Sequence, residues 1–86
     1  MMEVKEVKSY KVSGGLVIIY EMITSSNDTI IYTVVFSDSL RVQVWGMGLT
    51  EAIALENAMR EWDKVNNNPK FNPFREVIKK EREENG

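Results

Sequence analysis

Gly46 and Gly48 stand between a β-rich run and the one long helical pattern in the chain, and this junction constrains the fold more than any other stretch. Before it, LRVQVWG alternates as a strand, with Leu40, Val42 and Val44 on one side and Arg41, Gln43 and Trp45 on the other. A strand that must leave a sheet and turn sharply into a helix needs residues without a Cβ at that point. After the glycines, Thr50 is placed to cap a helix, Glu51 and Glu56 put negative charge in its first two turns, and Lys64 lies in its last. Ala52, Leu55, Ala58, Met59, Trp62 and Val65 recur at helical spacing as an apolar stripe. Alanines at 54 and 58 permit close approach to a sheet. The spacing therefore predicts a main helix over about residues 50–65 lying across the strands.

Two runs upstream, Leu16 to Ile23 and Thr29 to Phe36, are rich in β-branched residues and bounded by turn signals at Ser13-Gly14-Gly15, Ser25 to Asp28 and Ser37-Asp38-Ser39. Strands joined by turns this short are antiparallel. Val4 to Val12 reads as a lysine-bearing edge strand with Val4, Tyr10 and Val12 on one side, or as a short helix, since Val4 and Val7 are three apart. Downstream, Asn66 to Pro69 ends the main helix through asparagines that tolerate left-handed φ. Asn72 with Pro73 then starts a second helix over about 73–84, which must dock through Phe74, Val77 and Ile78 or fray. Glu76 with Lys80 and Lys79 with Glu83 are spaced for ion pairs on it. The expected fold class is α+β: an antiparallel sheet of three to four strands packed against one main helix, with a short C-terminal helix, in a single domain spanning residues 1–86.

The residues that are missing narrow the chemistry. A chain with no cysteine and no histidine lacks thiolate ligands, a thiol nucleophile and the commonest general base and metal ligand. No phosphate-binding glycine loop and no paired acid/base carboxylates are present, so the expectation is a protein that is not an enzyme and uses no cofactor or metal. A net charge of −2 with both signs dispersed argues against nucleic acid and acidic membranes as partners. The longest apolar runs are about eight residues, against the roughly 20 needed to span a bilayer. MMEVKEVK lacks the apolar core of a signal peptide, and the expected location is the cytoplasm.

Tyr32-Thr33-Val34, then Gly46-Met47-Gly48-Leu49-Thr50, then Ala54 and Ala58 follow one another at a spacing that resembles the second half of a double-stranded RNA-binding domain. The resemblance covers roughly 30 of the 86 residues and implies that family's strand-to-helix layout. It also implies lysines just after the Thr50 position to hold phosphates. Glu51 and Ala52 stand there instead, and Leu55 stands where a further lysine would fall, so the RNA contacts do not carry over. If the alignment holds, replacing Glu51 and Ala52 by lysines creates RNA affinity measurable at low salt, and no gain counts against the resemblance. The Gly46, Glu51, Ala52 spacing is similar, more weakly, to the strand-to-helix junction of HicB-like antitoxins.

Three groups of residues are candidates for function. Trp45 with Arg41 and Gln43 forms a set of the type that dominates protein interfaces, unless the second helix or the N-terminal strand covers it. Val17, Ile19, Ile23, Ile31 and Val35 make the second side of the middle strands more apolar than one helix can hide. Either the C-terminal helix covers that side or a second copy does. Lys5, Lys8 and Lys11, with Arg41, are the possible nucleic-acid contacts, whereas Lys70, Lys79, Lys80 and Arg82 are interleaved with glutamates. The expected function is a small protein-interaction module of adaptor, antitoxin or inhibitor type that binds a protein partner and self-associates as a homodimer. The alternative is a nucleic-acid-binding protein with a degenerate RNA-binding fold.

Overall fold

A computed structural model describes residues 2–24, 29–39, 41–66 and 71–85. Four strands, β1 (Met2–Val12), β2 (Gly15–Thr24), β3 (Ile30–Ser37) and β4 (Val42–Gly48), are followed by two helices, α1 (Glu51–Val65) and α2 (Pro73–Asn85). The strands form one antiparallel sheet in the order β1-β2-β3-β4, as the short connections require. The N-terminal segment is thus a strand and not a helix, and the sheet has four members. The expected turn at Ser25 to Asp28, the strand position given to Leu40, the helix-ending Asn67 to Pro69 and the Lys70 cation lie outside the described residues.

Pairing between β2 and β3 sets Val17 opposite Phe36 and Ile19 opposite Val34, and β3 in turn sets Val34 opposite Gly46 and Phe36 opposite Val44. These residues share one side of the sheet and are buried there with Ala54, Leu55 and Ala58 of α1 and Phe74 and Val77 of α2. Both helices therefore pack on the same side. The grouping of Val17, Ile19 and Ile23 with Ile31 and Val35 on a second side is corrected by this register. Alternation along each strand says which residues go together within it, but the pairing of two strands decides which sets face the same way. Val17 and Ile19 belong to the core, and the residues that share a side with Ile31 and Val35 are Ile18, Tyr20 and Met22.

A bulge between Glu6 and Lys8 makes a similar correction in β1. Val4 and Glu6 pair with Met22 and Tyr20, whereas Lys8 and Tyr10 pair with Ile19 and Val17, so Val4 and Tyr10 fall on opposite sides. One extra residue reverses the alternation beyond it.

The helix stripe is also rotated. Ala54, Leu55 and Ala58 are buried, Met59 and Trp62 pack against the core, but Ala52 is exposed and Val65 is 69% exposed. Gly46 explains the rotation: a Cβ there would lie 2.3 Å from the Ala58 nitrogen and 2.9 Å from the Ala54 carbonyl oxygen, so α1 rests backbone to backbone on β4 along its 54/58 ridge. Thr50 caps α1 as expected, its Oγ1 accepting from the Ile53 N–H at 3.1 Å. Asn66 ends the helix in an extended conformation with φ −117°, and not through the left-handed φ expected of it.

Asn72 joins the two helices. Its Oδ1 accepts from the Phe74 N–H at 3.0 Å, capping α2, while its Nδ2 donates to the Met59 carbonyl at 3.0 Å and to Asp63 Oδ1 at 3.2 Å. Phe36, Trp62 and Phe74 meet edge to face, with centroid separations of 5.3 Å for Phe36–Trp62 and 6.5 Å for Phe36–Phe74. Trp62 Nε1 donates to the Phe71 carbonyl at 2.9 Å, which satisfies the one polar atom of that ring. Phe74 and Val77 are fully buried, so α2 docks as expected. Lys80, spaced for Glu76, instead donates to the Lys11 carbonyl at 2.8 Å and ties α2 to β1. Among the described residues no helix is long and apolar enough to cross a membrane.

Candidate functional site

The side of the sheet away from the helices is built from alternate residues of all four strands. β2 contributes Leu16, Ile18, Tyr20 and Met22; β3 contributes Ile31, Thr33 and Val35; β4 contributes Trp45 and Met47. Val4, Glu6, Ser9 and Lys11 of β1 complete it. Side chains on a pleated sheet point alternately to either side, so an apolar residue at every second position of β2, beyond those already used by the core, produces a second apolar side. Among the described residues no element lies over it.

Exposure grades from the centre outward. Ile18, Tyr20, Met22, Ile31 and Val35 are half-buried by one another, while Leu16, Met47 and Trp45 are exposed, Trp45 to 54%. The Thr33 hydroxyl donates to the Met22 sulfur at 2.9 Å, so a polar group in the middle of the patch is partnered within it. On these strands the charged members of the patch are Glu6 and Lys11, one of each sign. The result is an electrically balanced apolar surface with an indole on its β4 margin.

Of the sequence-predicted partner residues, Trp45 lies on this side of the sheet opposite Val35, and neither α2 nor β1 covers it. Gln43 is exposed, and its Nε2 donates to Asp38 Oδ2. Arg41 precedes β4, which begins at Val42, and its N–H donates to Asp38 Oδ1 at 2.9 Å. Arg41 lies outside the strand, and the irregular pairing between Phe36 and Ser37 breaks the alternation between Val42 and Val44, so strand alternation does not align Arg41 with Trp45.

The three lysines of β1 do not act together. All three are exposed, but Lys11 shares the open side of the sheet whereas Lys5 and Lys8 lie on the other, Lys8 3.5 Å from Glu51 Oε2 and 3.7 Å from Glu81 Oε2. The Glu51 carboxylate holds the Lys8 ammonium above its ordinary pKa, and Glu81 adds to this against the opposing effect of burial. Burial beside Glu81 likewise raises the Tyr10 phenol. Glu51, at the position where the RNA-binding resemblance needs a lysine, thus takes up one of the cations that would face a phosphate.

The residues that sequence reasoning passed over are Ile18, Tyr20, Met22 and Met47. They were legible only as one half of a strand alternation, and the strand pairing assigns that half to the open side.

No family model matches the chain, and no solved structure matches it. A protein of Acidianus filamentous virus 1 (isolate United States/Yellowstone), named uncharacterized protein ORF77, is 42% identical over 48 residues. The match takes in 56% of this chain and 60% of that protein.

Proposed function

We propose that this chain is a non-catalytic protein-interaction module that self-associates through its open sheet side. The observation that carries this reading is that both helices pack on one side of the sheet while the other side is equally rich in large apolar residues. An apolar surface of this extent is normally covered by a partner. Four strands about 4.8 Å apart, over the ten residues of β2 at about 3.3 Å each, give a footprint on the order of 600 Å². Side-chain relief brings such a footprint towards the roughly 800 Å² per partner of a standard interface. A second copy is suited to it: the patch is self-complementary in being uncharged at its centre, and Glu6 and Lys11 at the β1 margin leave no net charge to repel an identical surface. Two such sheets stack about 10 Å apart.

Ile18→Lys tests the reading. Ile18 lies at the middle of the patch, between Ser9 and Val35. In an isolated chain the lysine stem lies along the sheet and its ammonium reaches water, so the fold loses no more than about 1 kcal/mol. In a face-to-face pair the charge is buried, and the dimer dissociation constant rises at least about a hundredfold, or roughly 2.7 kcal/mol. Light scattering on the eluting species measures this, and equal masses for both proteins at every concentration would refute the proposal.

A further inference from the structure

The two edges of the sheet differ in how they meet solvent. β1 carries Lys5, Lys8 and Lys11, and its Lys11 carbonyl is already taken by Lys80 at 2.8 Å, so this edge is charged and partly closed. β4, with the sequence VQVWGMG, has no charged residue and no proline. It pairs with β3 on one side only.

One hydrogen bond identifies the backbone groups that β4 leaves outward. Asn57 Nδ2, on α1, donates to the Met47 carbonyl at 2.7 Å, so the main chain of Met47 faces away from β3. In an antiparallel ladder the inward and outward residues alternate, and Trp45 therefore turns its N–H and C=O outward as well. Beside this edge runs an open groove of about 580 Å³ whose far wall is α1, with Asn57, Arg60, Glu61 and Lys64. Glu61 pairs with Lys64 at 3.5 Å, while Arg60 has no carboxylate within ion-pair distance among the described residues. The helix wall thus presents one uncompensated cation beside an unpaired strand edge.

We propose that this groove accepts an extended acidic segment of a partner protein as a fifth strand on β4, with a carboxylate of that segment against Arg60. Main-chain bonds to Trp45 and Met47 supply the affinity, and Arg60 supplies the choice of sign. The Asn57 amide already fills the place of one strand donor. A second copy fits this edge less well, because its own α1 wall would set its Arg60 against the first. The site is separate from the open sheet side: it uses the backbone edge of β4, which stays free when two sheets stack face to face.

The test uses the full chain, labelled with ¹⁵N, and two acetylated, amidated nine-residue peptides of alternating threonine and valine, one with glutamate at its centre and one with lysine. The Trp45 and Met47 amides are expected to shift and to exchange more slowly with the glutamate peptide, which binds at least fivefold tighter than the lysine peptide. Arg60→Glu removes or reverses that preference. Met47→Pro deletes an outward N–H without touching the ladder to β3 and weakens binding at least tenfold. Ile18→Lys binds the peptide as the parent does, so a failure of self-association and a failure of the groove are read apart. The proposal is overturned by unshifted Trp45 and Met47 amides at millimolar peptide, or by shifts confined to Ile18 and Tyr20. Peptide binding lost in Ile18→Lys would also overturn it, as would edge amides that slow with protein concentration alone, which would assign the edge to a second copy.

Discussion

Gly46→Ala is expected to lower the melting temperature by roughly 12–24 °C at fixed protein concentration, which corresponds to about 3 kcal/mol for a domain of this size. The added Cβ would meet the Ala58 nitrogen at 2.3 Å, the Ala58 Cα at 2.7 Å and the Ala54 carbonyl oxygen at 2.9 Å. All three are backbone atoms of a regular helix and none can rotate away, so α1 must lift from β4 as a unit and loosen Leu55 and Trp62 from the core. Gly14→Ala is the control. Gly14 has φ 89°, yet a Cβ there finds its nearest atom, Phe36 Cζ, at 4.0 Å. Its cost is conformational only, about 1 kcal/mol. Thermal melts of the two variants separate close packing from backbone freedom. A Gly46→Ala protein as stable as the Gly14→Ala protein would mean that α1 does not sit on β4 in this way.

Phe74→Ala is expected to cost about 3–5 kcal/mol and to release α2. Phe74 is the largest fully buried side chain among the described residues and meets the Phe36 ring edge to face. α2 has thirteen residues, many of them charged, and a helix of that length is marginal in water without a docked face. With Phe74 gone, Val77, the half-buried Ile78, the polar ties from Asn72 and Lys80 and the ion pairs of Arg75 and Glu81 are what is left to hold it. Hydrogen exchange is expected to show unprotected amides through α2 while β2 and β3 keep their protection, because a total stability of about 5–15 kcal/mol leaves the sheet a margin. Protection of α2 equal to that of the parent would refute the docking role given to Phe74.

Local chemistry was legible in the sequence where one segment decides it. Thr50 and Asn72 cap their helices, Gly46 and Gly48 lie where α1 crosses β4, and Phe74 with Val77 docks α2. What the sequence left open depended on how segments meet. The bulge at Glu6 to Lys8 redistributed β1 between the two sides of the sheet, and no composition signal marks a single extra residue. The β2–β3 pairing sent Val17 and Ile19 into the core and gave Ile18, Tyr20 and Met22 to the open side, reversing the expected set. The tilt of α1 on its glycine contact buried Ala54 in place of Ala52.

The candidate site divides in the same way. Trp45 was readable as an anchor because it alternates with the core-directed Val44, and the structure leaves it exposed at the margin of the patch. Lys8 reads, with Lys5, Lys11 and Arg41, as a possible nucleic-acid contact, but a residue 43 positions away, Glu51, pairs with its charge. Such a pairing is visible only once the strand and the helix N-terminus are brought together.

Sedimentation equilibrium of the full chain, from about 1 to 100 μM, tests self-association through the open sheet side most directly. Interfaces of the standard size have dissociation constants from roughly micromolar down to picomolar, so even a weak one is populated across this range. The expected result is a mass rising over this range from 9.9 kDa towards twice that value, with Ile18→Lys held at 9.9 kDa. A parent chain that stays at 9.9 kDa at 100 μM, or an Ile18→Lys variant that associates as the parent does, would contradict it.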